Sequence, residues 1–219
     1  MEIIIHRINS LKELIKLPTN YGAEIDIRSQ GSKLILNHEP FKDGCNLIDY
    51  IENYKHGTLI LNIKESGIEE EVLKIVKSKS IKSYFLLDVE MPYIYFSSKR
   101  GNKNMAIRFS EYESLKTVEY FTKLVNWIWI DTVNTLPIKS EILPIISNFK
   151  SCIVCPERWG RKNDIKVYKK ILAELNYEPN AVMTSLDCIK LWKWILIYFF
   201  IIVVCIFNII QDSQSQARG

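Results

Sequence analysis

The sequence predicts an α/β fold, a compact TIM-type (β/α)8 barrel followed by a hydrophobic C-terminal helix. Short apolar runs alternate with amphipathic segments, which is the pattern of repeated strand-helix units. Nearly every apolar run ends in polar side chains, and close to residue 190 the composition changes to an uncharged apolar stretch. These observations divide the chain into a barrel over 1–190, a membrane anchor over 191–210 and a polar tail over 211–219.

Periodicity places the individual elements of the barrel. Apolar runs of strand length occur at 2–6, 22–28 with a hairpin partner at 33–38, 58–64, 83–89, 104–110, 127–133, 151–156 and 180–184. Helical patterns occupy 10–17, 46–54, 68–79, 114–125, 140–148 and 164–176, with a shorter or irregular piece near 91–97. If the hairpin counts as one unit, eight strands result. A barrel of this length is smaller than the typical one of about 250 residues.

Composition restricts the class of protein. A chain of 219 residues suits one domain of ordinary size. The net charge of +4 is mild and its basic residues are scattered, so we expect no nucleic-acid partner. Five widely spaced cysteines argue against a disulfide framework. Cys152 and Cys155 are expected to face opposite sides of one strand, as core residues.

The stretch from Tyr21 to Phe41 carries the strongest functional signal. Glu24 and Asp26 are two residues apart in a predicted strand, so they share one face. Two neighbouring carboxylates repel unless a cation lies between them, and Mg²⁺ or Ca²⁺ takes oxygen ligands of this kind. The returning arm of the hairpin ends at His38, and the first strand runs into His6. The alternative is a solvated strand face with structural histidines.

Polar residues at the strand ends are expected to meet at one mouth. They are His6, Glu24 and Asp26, Asn62 and Lys64, Asp88 and Glu90, Arg108 and Ser110, Asp131, Glu157, Thr184 and Ser185. The active site of a strand-helix barrel is built at the carboxyl ends of its strands. Period-two alternation predicts that Asp88 and Glu90 share a face. The alternative for several of these residues is an ordinary loop position or a helix cap.

The ordered set His6-Arg7, Glu24-Ile25-Asp26 and Asn37-His38 resembles the signature of the glycerophosphodiester phosphodiesterase family. With the barrel pattern, the resemblance extends over roughly residues 1 to 190. It implies a TIM-type barrel that cleaves phosphodiesters, two histidines that act as acid and base, and carboxylates that hold a divalent metal.

The chain also departs from the family pattern. Ile8 stands where the family has glycine, and Glu39 where it has aspartate. Asn62 replaces the expected third metal carboxylate. An amide oxygen coordinates Mg²⁺ or Ca²⁺ but brings no charge. The metal shell is therefore expected to hold Glu24, Asp26 and Asn62, or to be completed by another acid such as Asp88 or Glu90.

The other expected contacts are with the substrate. Lys64 and Arg108 are expected to bind phosphate oxygens. Arg7 has two interpretations, since it either contacts phosphate or orients the carboxylates from below. Trp129 either packs against a glycerol, sugar or choline-like headgroup, the last through a cation-π contact, or belongs to the barrel core.

Residues 194–210, WILIYFFIIVVCIFNII, contain no charge. With Leu191 and Trp192 around Lys193, the stretch approaches the roughly 20 residues that span a bilayer. Lysines on its amino side, Lys190 and Lys193, predict that the barrel lies in the cytoplasm. One alternative is a buried barrel helix. Another is that the last barrel helix runs to about Trp194 and the anchor continues from it.

The sequence as a whole predicts a membrane-tethered, metal-dependent phosphodiester hydrolase. Its expected substrate is a small or lipid-derived phosphodiester with a polyol or headgroup component. Two alternatives remain: a binding protein of the same fold that has lost turnover, which Asn62 and Ile8 motivate, and a scaffold for a membrane partner.

Overall fold

The structure is a computed structural model that describes residues 1–193. Most of the predicted anchor (194–210) and all of the predicted polar tail (211–219) lie outside the described residues.

Strands and helices alternate along the described chain. The strands are β1 (Glu2–Ile5), β2 (Gly22–Gln30), β3 (Lys33–Leu36), β4 (Cys45–Asn46), β5 (Leu59–Ile63), β6 (Tyr84–Leu87), β7 (Ala106–Phe109), β8 (Trp127–Ile130), β9 (Lys150–Val154) and β10 (Ala181–Thr184). The α-helices are α1 (Leu11–Lys16), α2 (Leu47–Glu52), α3 (Glu69–Ser78), α4 (Met91–Lys99), α5 (Leu115–Tyr120), α6 (Leu143–Ile146), α7 (Asp164–Glu174) and α8 (Ile189–Trp192).

Eight parallel strands form the barrel in the order β1, β2, β5, β6, β7, β8, β9 and β10. The last strand returns to the first, with Glu2 in register with Ala181. Between β6 and β7 the contact is a single bridge at Leu86 and Met105, where the Leu86 amide donates to the Asn104 carbonyl at 2.9 Å. The predicted barrel and its eight strands are therefore confirmed.

Three predicted helices differ in detail from the structure. The helix predicted at 114–125 ends at Tyr120, as α5. The piece near 91–97, expected to be short or irregular, is the regular helix α4, which Pro92 supports in its first turn. The segment predicted as a helix at 140–148 is a 3₁₀ turn, Ser140–Ile142, followed by the one-turn helix α6.

The predicted hairpin leaves the barrel at its mouth. β2 is longer than its neighbours and pairs antiparallel with β3 through a two-residue turn, where Gly31 has φ +61°. The short strand β4 pairs with β3 on the other side. This extension carries the chain to His38, so it sets the position of the second predicted catalytic histidine.

Side chains alternate between two cores. The barrel interior is filled by Ile4, Ile60, Phe85, Leu87, Ala106, Trp127, Trp129, Cys152, Val154, Ala181 and Met183. The outer core between strands and helices includes the opposite faces of the same strands, such as Ile25 and Ile27 of β2. Phe85 stacks on Trp127 with ring centroids 4.5 Å apart. The interior is thus packed solid below the mouth, as in other small barrels.

The opposite, amino end of the barrel is closed by polar contacts. The Glu2 carboxylate accepts hydrogen bonds from the Thr58 amide at 2.6 Å and from the Thr58 hydroxyl at 2.7 Å. A Cβ atom at Gly22 would lie 2.4 Å from the Thr58 carbonyl oxygen, so β2 can begin here only with glycine.

The described chain ends against this barrel. Trp192, the last residue of α8, is fully buried in the outer core. In the part of the chain that the structure describes, no helix is long and apolar enough to span a bilayer.

Candidate active site

The carboxyl ends of the strands gather most of the predicted site residues at one mouth. Parallel register places Asp26 of β2 beside Asn62 of β5, and both side chains face inward. Glu24 lies one inward position deeper on β2, and Lys64 follows β5 on the same face.

Glu24 and Asp26 form the centre of this mouth, and both are buried, with 1% and 0% of their surface exposed. The Glu24 carboxylate accepts hydrogen bonds from the Arg7 backbone amide and from the Asn62 side-chain amide, each at 2.8 Å. Burial, followed by the neighbouring charge of Asp26, raises the pKa of Glu24 to about 7. The site therefore favours any ligand that brings positive charge to this pair.

Asn9 and Arg7 hold Asp26 from the β1 side. The Asn9 side chain donates to the Asp26 carboxylate at 2.8 Å and accepts from the Asp26 backbone amide at 2.8 Å. The Arg7 Nε atom lies 3.8 Å from the same carboxylate. Of its two expected roles, Arg7 thus has the geometry that orients the carboxylates, although its side chain is 41% exposed and also reaches the open mouth.

A chain of alternating charges continues across the mouth from Asp26. Lys64 Nζ lies 3.1 Å from Asp26 Oδ1 and 3.8 Å from Asp88 Oδ2. Arg108 then bridges Asp88 and Asp131 with its two terminal nitrogens. Lys64 and Arg108, both predicted to bind phosphate, are brought to the mouth, but each is already paired with carboxylates.

His6 faces the mouth from the end of β1, with Nε2 4.0 Å from Glu24 Oε2. Burial, followed by the positive charges of Arg158 and Arg7, lowers its pKa to about 4. His6 is therefore neutral at neutral pH, and its contact with Glu24 is not an ion pair there. A neutral imidazole in this position can accept a proton.

His38 lies at the rim, beyond the hairpin. Its Nδ1 atom is 2.6 Å from the Glu39 carboxylate, which leaves Nε2 for other partners. The Arg28 guanidinium donates to the His38 carbonyl through two nitrogens, at 3.2 and 3.0 Å, and to the Lys64 carbonyl at 3.3 Å. Arg28 thereby ties the His38 loop to the strand end that presents Lys64.

The donor set for a metal consists of two carboxylates and an amide. Among residues 1–193, no group of three or more His, Cys, Asp or Glu side chains is arranged to hold a metal ion. Asn62 Oδ1 is nevertheless buried beside the carboxylates without a hydrogen-bond partner. Because oxygen atoms are the ligands that Mg²⁺ and Ca²⁺ prefer, Glu24, Asp26 and Asn62 fit a weakly charged site for such a cation.

Two expectations about the mouth need correction, and the position of Trp129 favours one of its two interpretations. Asp88 and Glu90 do not share a strand face, because β6 ends at Leu87 and Asp88 has φ +57°. Glu90 is instead the exposed residue that precedes α4. Trp129 is 0% exposed within the barrel interior, one layer below the mouth, so it lies where core residues lie and out of reach of a headgroup.

Sequence reasoning missed two residues that position the site. Arg28 shares the inward parity of Glu24 and Asp26, so the same period-two argument, extended by one step, would have found it. Asn9 carried no such signal, because it lies in the connection between β1 and α1.

Loss of the Lys64 ammonium should destabilise the fold, because it would leave the buried Asp26 carboxylate short of a counter-charge. We expect Lys64→Met to lower the free energy of unfolding by about 3 to 5 kcal/mol, measured by urea denaturation at pH 7. As a matched control, Lys79→Met breaks an exposed pair with Glu52 and should cost about 1 kcal/mol or less. Equal effects of the two substitutions would contradict this assignment of the Lys64 pair.

No family model and no curated protein sequence matches this chain. Solved structures do. A glycerophosphoryl diester phosphodiesterase from Parabacteroides distasonis aligns over 84% of this chain and 82% of its own, with a TM-score of 0.59 and 12% identity. A glycerophosphodiester phosphodiesterase from Agrobacterium tumefaciens aligns over 86% of this chain and 99% of its own, with a TM-score of 0.59 and 10% identity. The chain therefore has the barrel fold of these phosphodiesterases.

Proposed function

We propose that the protein is a phosphoric diester hydrolase that cleaves a glycerophosphodiester or a related headgroup diester. The observation that carries this proposal is the buried pair Glu24 and Asp26, placed beside a neutral histidine and the Lys64 ammonium at the mouth. A phosphodiester is anionic and resists attack, so a site that cleaves it must supply positive charge, a proton acceptor and a proton donor. The shared fold supports the same function.

We further propose that the enzyme depends on a divalent cation, Mg²⁺ or Ca²⁺, held by Glu24, Asp26 and Asn62. When bound, such an ion neutralises the carboxylate pair and polarises a phosphate oxygen. The partnerless Asn62 Oδ1 supports this assignment. The smaller charge of the donor set should make binding weaker than at a site with three carboxylates.

The two histidines are proposed to divide the proton transfers. His6, held neutral by burial and nearby cations, accepts the proton of the attacking hydroxyl or water. His38 protonates the leaving alcohol through Nε2, because the Glu39 carboxylate occupies Nδ1 and leaves Nε2 to face the substrate. Glu24 and Asp26 remain fixed by Arg7 and Asn9 throughout.

Lys64 and Arg7 are the proposed phosphate contacts. The Lys64 side chain is only 14% exposed, and its ammonium lies between Asp26 and Asp88 on the inner wall of the mouth. Arg108 is the third residue predicted to bind phosphate. Since both of its terminal nitrogens already bind carboxylates, we assign it to hold the wall formed by Asp88 and Asp131.

The activity itself is testable with glycerophosphodiesters and Mg²⁺ or Ca²⁺. We expect the full chain to release an alcohol, and His6→Ala and His38→Ala each to lower kcat by about 10²- to 10⁴-fold, because each removes one proton-transfer group. Arg100→Gln, at the far end of α4, is the control for lost charge. Turnover that survives in both histidine variants would overturn the assignment, and no turnover at all would favour a binding or scaffold barrel.

The metal proposal predicts the behaviour of Asn62→Glu. A third carboxylate beside Glu24 and Asp26 should destabilise the protein in chelator, because it adds repulsion that no cation offsets. Mg²⁺ or Ca²⁺ should then raise the Tm of Asn62→Glu by more than that of the unaltered chain, since tighter binding to the native state stabilises it more. If neither protein shows a metal-dependent Tm, the metal assignment fails.

We also propose that residues 194–210 anchor the barrel to a membrane from the cytoplasmic side. The uncharged run and the preceding lysines support this. Lys193 lies beside Met1, Glu2 and Tyr21 at the amino end of the barrel. An anchor that begins there would leave the mouth on the side away from the bilayer, so the substrate would enter from water.

The anchor predicts that the full chain sediments with membranes and resists extraction by alkaline carbonate. Val203→Lys together with Val204→Lys should shift it to the soluble fraction, because each charge at the bilayer centre costs about 2.5 to 3.5 kcal/mol on insertion scales. Recovery of the unaltered chain in the soluble fraction would contradict the anchor.

A further inference from the structure

A cavity of about 290 Å³ opens beside His6. Its walls come from the loops after β9 and β10 and include Glu157, Arg158, Lys162, Ser185 and Asp187. The volume is close to the lower end, about 300 Å³, of small-molecule sites. A second cavity, of about 350 Å³, lies at the amino end of the barrel around Met1 and Lys193, away from the mouth where such barrels build their sites.

Glu157 is a fixed acceptor in this cavity. Its Oε1 atom accepts hydrogen bonds from the Thr184 hydroxyl and from the Ser185 amide, the latter at 3.1 Å. Its Oε2 atom is buried and has no hydrogen-bond partner. Leaving a buried acceptor unpaired is unfavourable, so a donor on a bound molecule would be stabilised there.

Arg158 is a donor that the protein leaves available. Within residues 1–193 no carboxylate forms an ion pair with its guanidinium, which packs over the Trp159 ring at 5.5 Å from the centroid. The other wall cation differs, because Lys162 Nζ lies 2.7 Å from the Asp187 carboxylate. Arg158 therefore has hydrogen-bonding groups to offer a ligand.

The charges of the wall select among ligand classes. Arg158 and Lys162 balance Glu157 and Asp187, so neither a cationic nor an anionic headgroup gains a net attraction. In the described part of the chain, the donors of the Arg158 guanidinium and the acceptor Glu157 Oε2 remain without partners. Hydroxyl groups both donate and accept, and they suit this combination.

We propose that this cavity is the subsite for the headgroup alcohol of the diester, and that Glu157 and Arg158 select a neutral polyol such as a sugar ring. The inference rests on the proposed hydrolase function, because His6 lines both the cavity and the candidate active site. Glu157 and Arg158 are the specificity-determining residues of this subsite.

The test compares three glycerophosphodiesters, those of glucose, ethanol and choline, with the full chain. We expect kcat/KM to be highest for the glucose diester. Glu157→Gln keeps the oxygen that accepts the hydrogen bonds from Thr184 and Ser185. It replaces the other oxygen, the unpaired acceptor, with an amide NH₂ group that donates. This substitution and Arg158→Gln should each lower the glucose-to-ethanol ratio of kcat/KM about tenfold, the effect of one lost hydrogen bond. Arg100→Gln should leave the ratio as it is.

The two proposals fail in different ways. Turnover of all three diesters with a ratio that Glu157→Gln and Arg158→Gln do not change would overturn the subsite alone. If no diester is cleaved, the hydrolase proposal fails, and calorimetric binding of the same compounds still decides the subsite. The subsite is supported if the protein binds the glucose diester more tightly than the ethanol diester and if either variant weakens that preference. Equal binding of the glucose and ethanol diesters overturns the subsite.

Discussion

Two carboxylates on one face of β2 and out of contact with water are the constraint on which the mouth depends. Burying charge is costly unless each charge is paired and hydrogen-bonded. Glu24 and Asp26 meet this condition with four groups from two strand ends: the Arg7 amide and Asn9 after β1, and the Asn62 amide and the Lys64 ammonium at the end of β5. The relative positions of these strand ends therefore depend on the ion pairs and hydrogen bonds that stabilise the two buried carboxylates. The same contacts fix the side chains that catalysis would need.

Backbone strain occurs at the same place. Arg7 and Asp88 both have φ +57°, a conformation that costs energy for a residue other than glycine, and both directly follow or closely follow a barrel strand. In Arg7 the turn aims the backbone amide at Glu24. In Asp88 it directs the carboxylate toward Lys64 and Arg108. The contacts with surrounding charged groups stabilise the strained backbone of both Arg7 and Asp88.

Much of this site could be predicted from the sequence because strands alternate with a period of two. That rule places Glu24, Asp26, Asn62 and Lys64 on inner faces, as the structure does. It fails where the chain leaves the strand, and hence it misplaced Glu90. It also says nothing of depth along the barrel axis, which is why the sequence left Trp129 between a headgroup contact and the barrel core, whereas the structure places it in the layer below the mouth. Asn9 and Arg158 lie in connections, where no periodicity reports their contacts.

The most direct test of the account is the turnover of a glycerophosphodiester by Glu24→Gln. Glutamine has the shape of glutamate and can keep the hydrogen bond from the Arg7 amide, so the fold should persist while the charge at the centre of the mouth is lost. The account predicts an unchanged circular dichroism spectrum and a fall in kcat/KM of at least about 10²-fold, the scale of removing one electrostatic catalytic group. Undiminished turnover by a folded Glu24→Gln protein would contradict it.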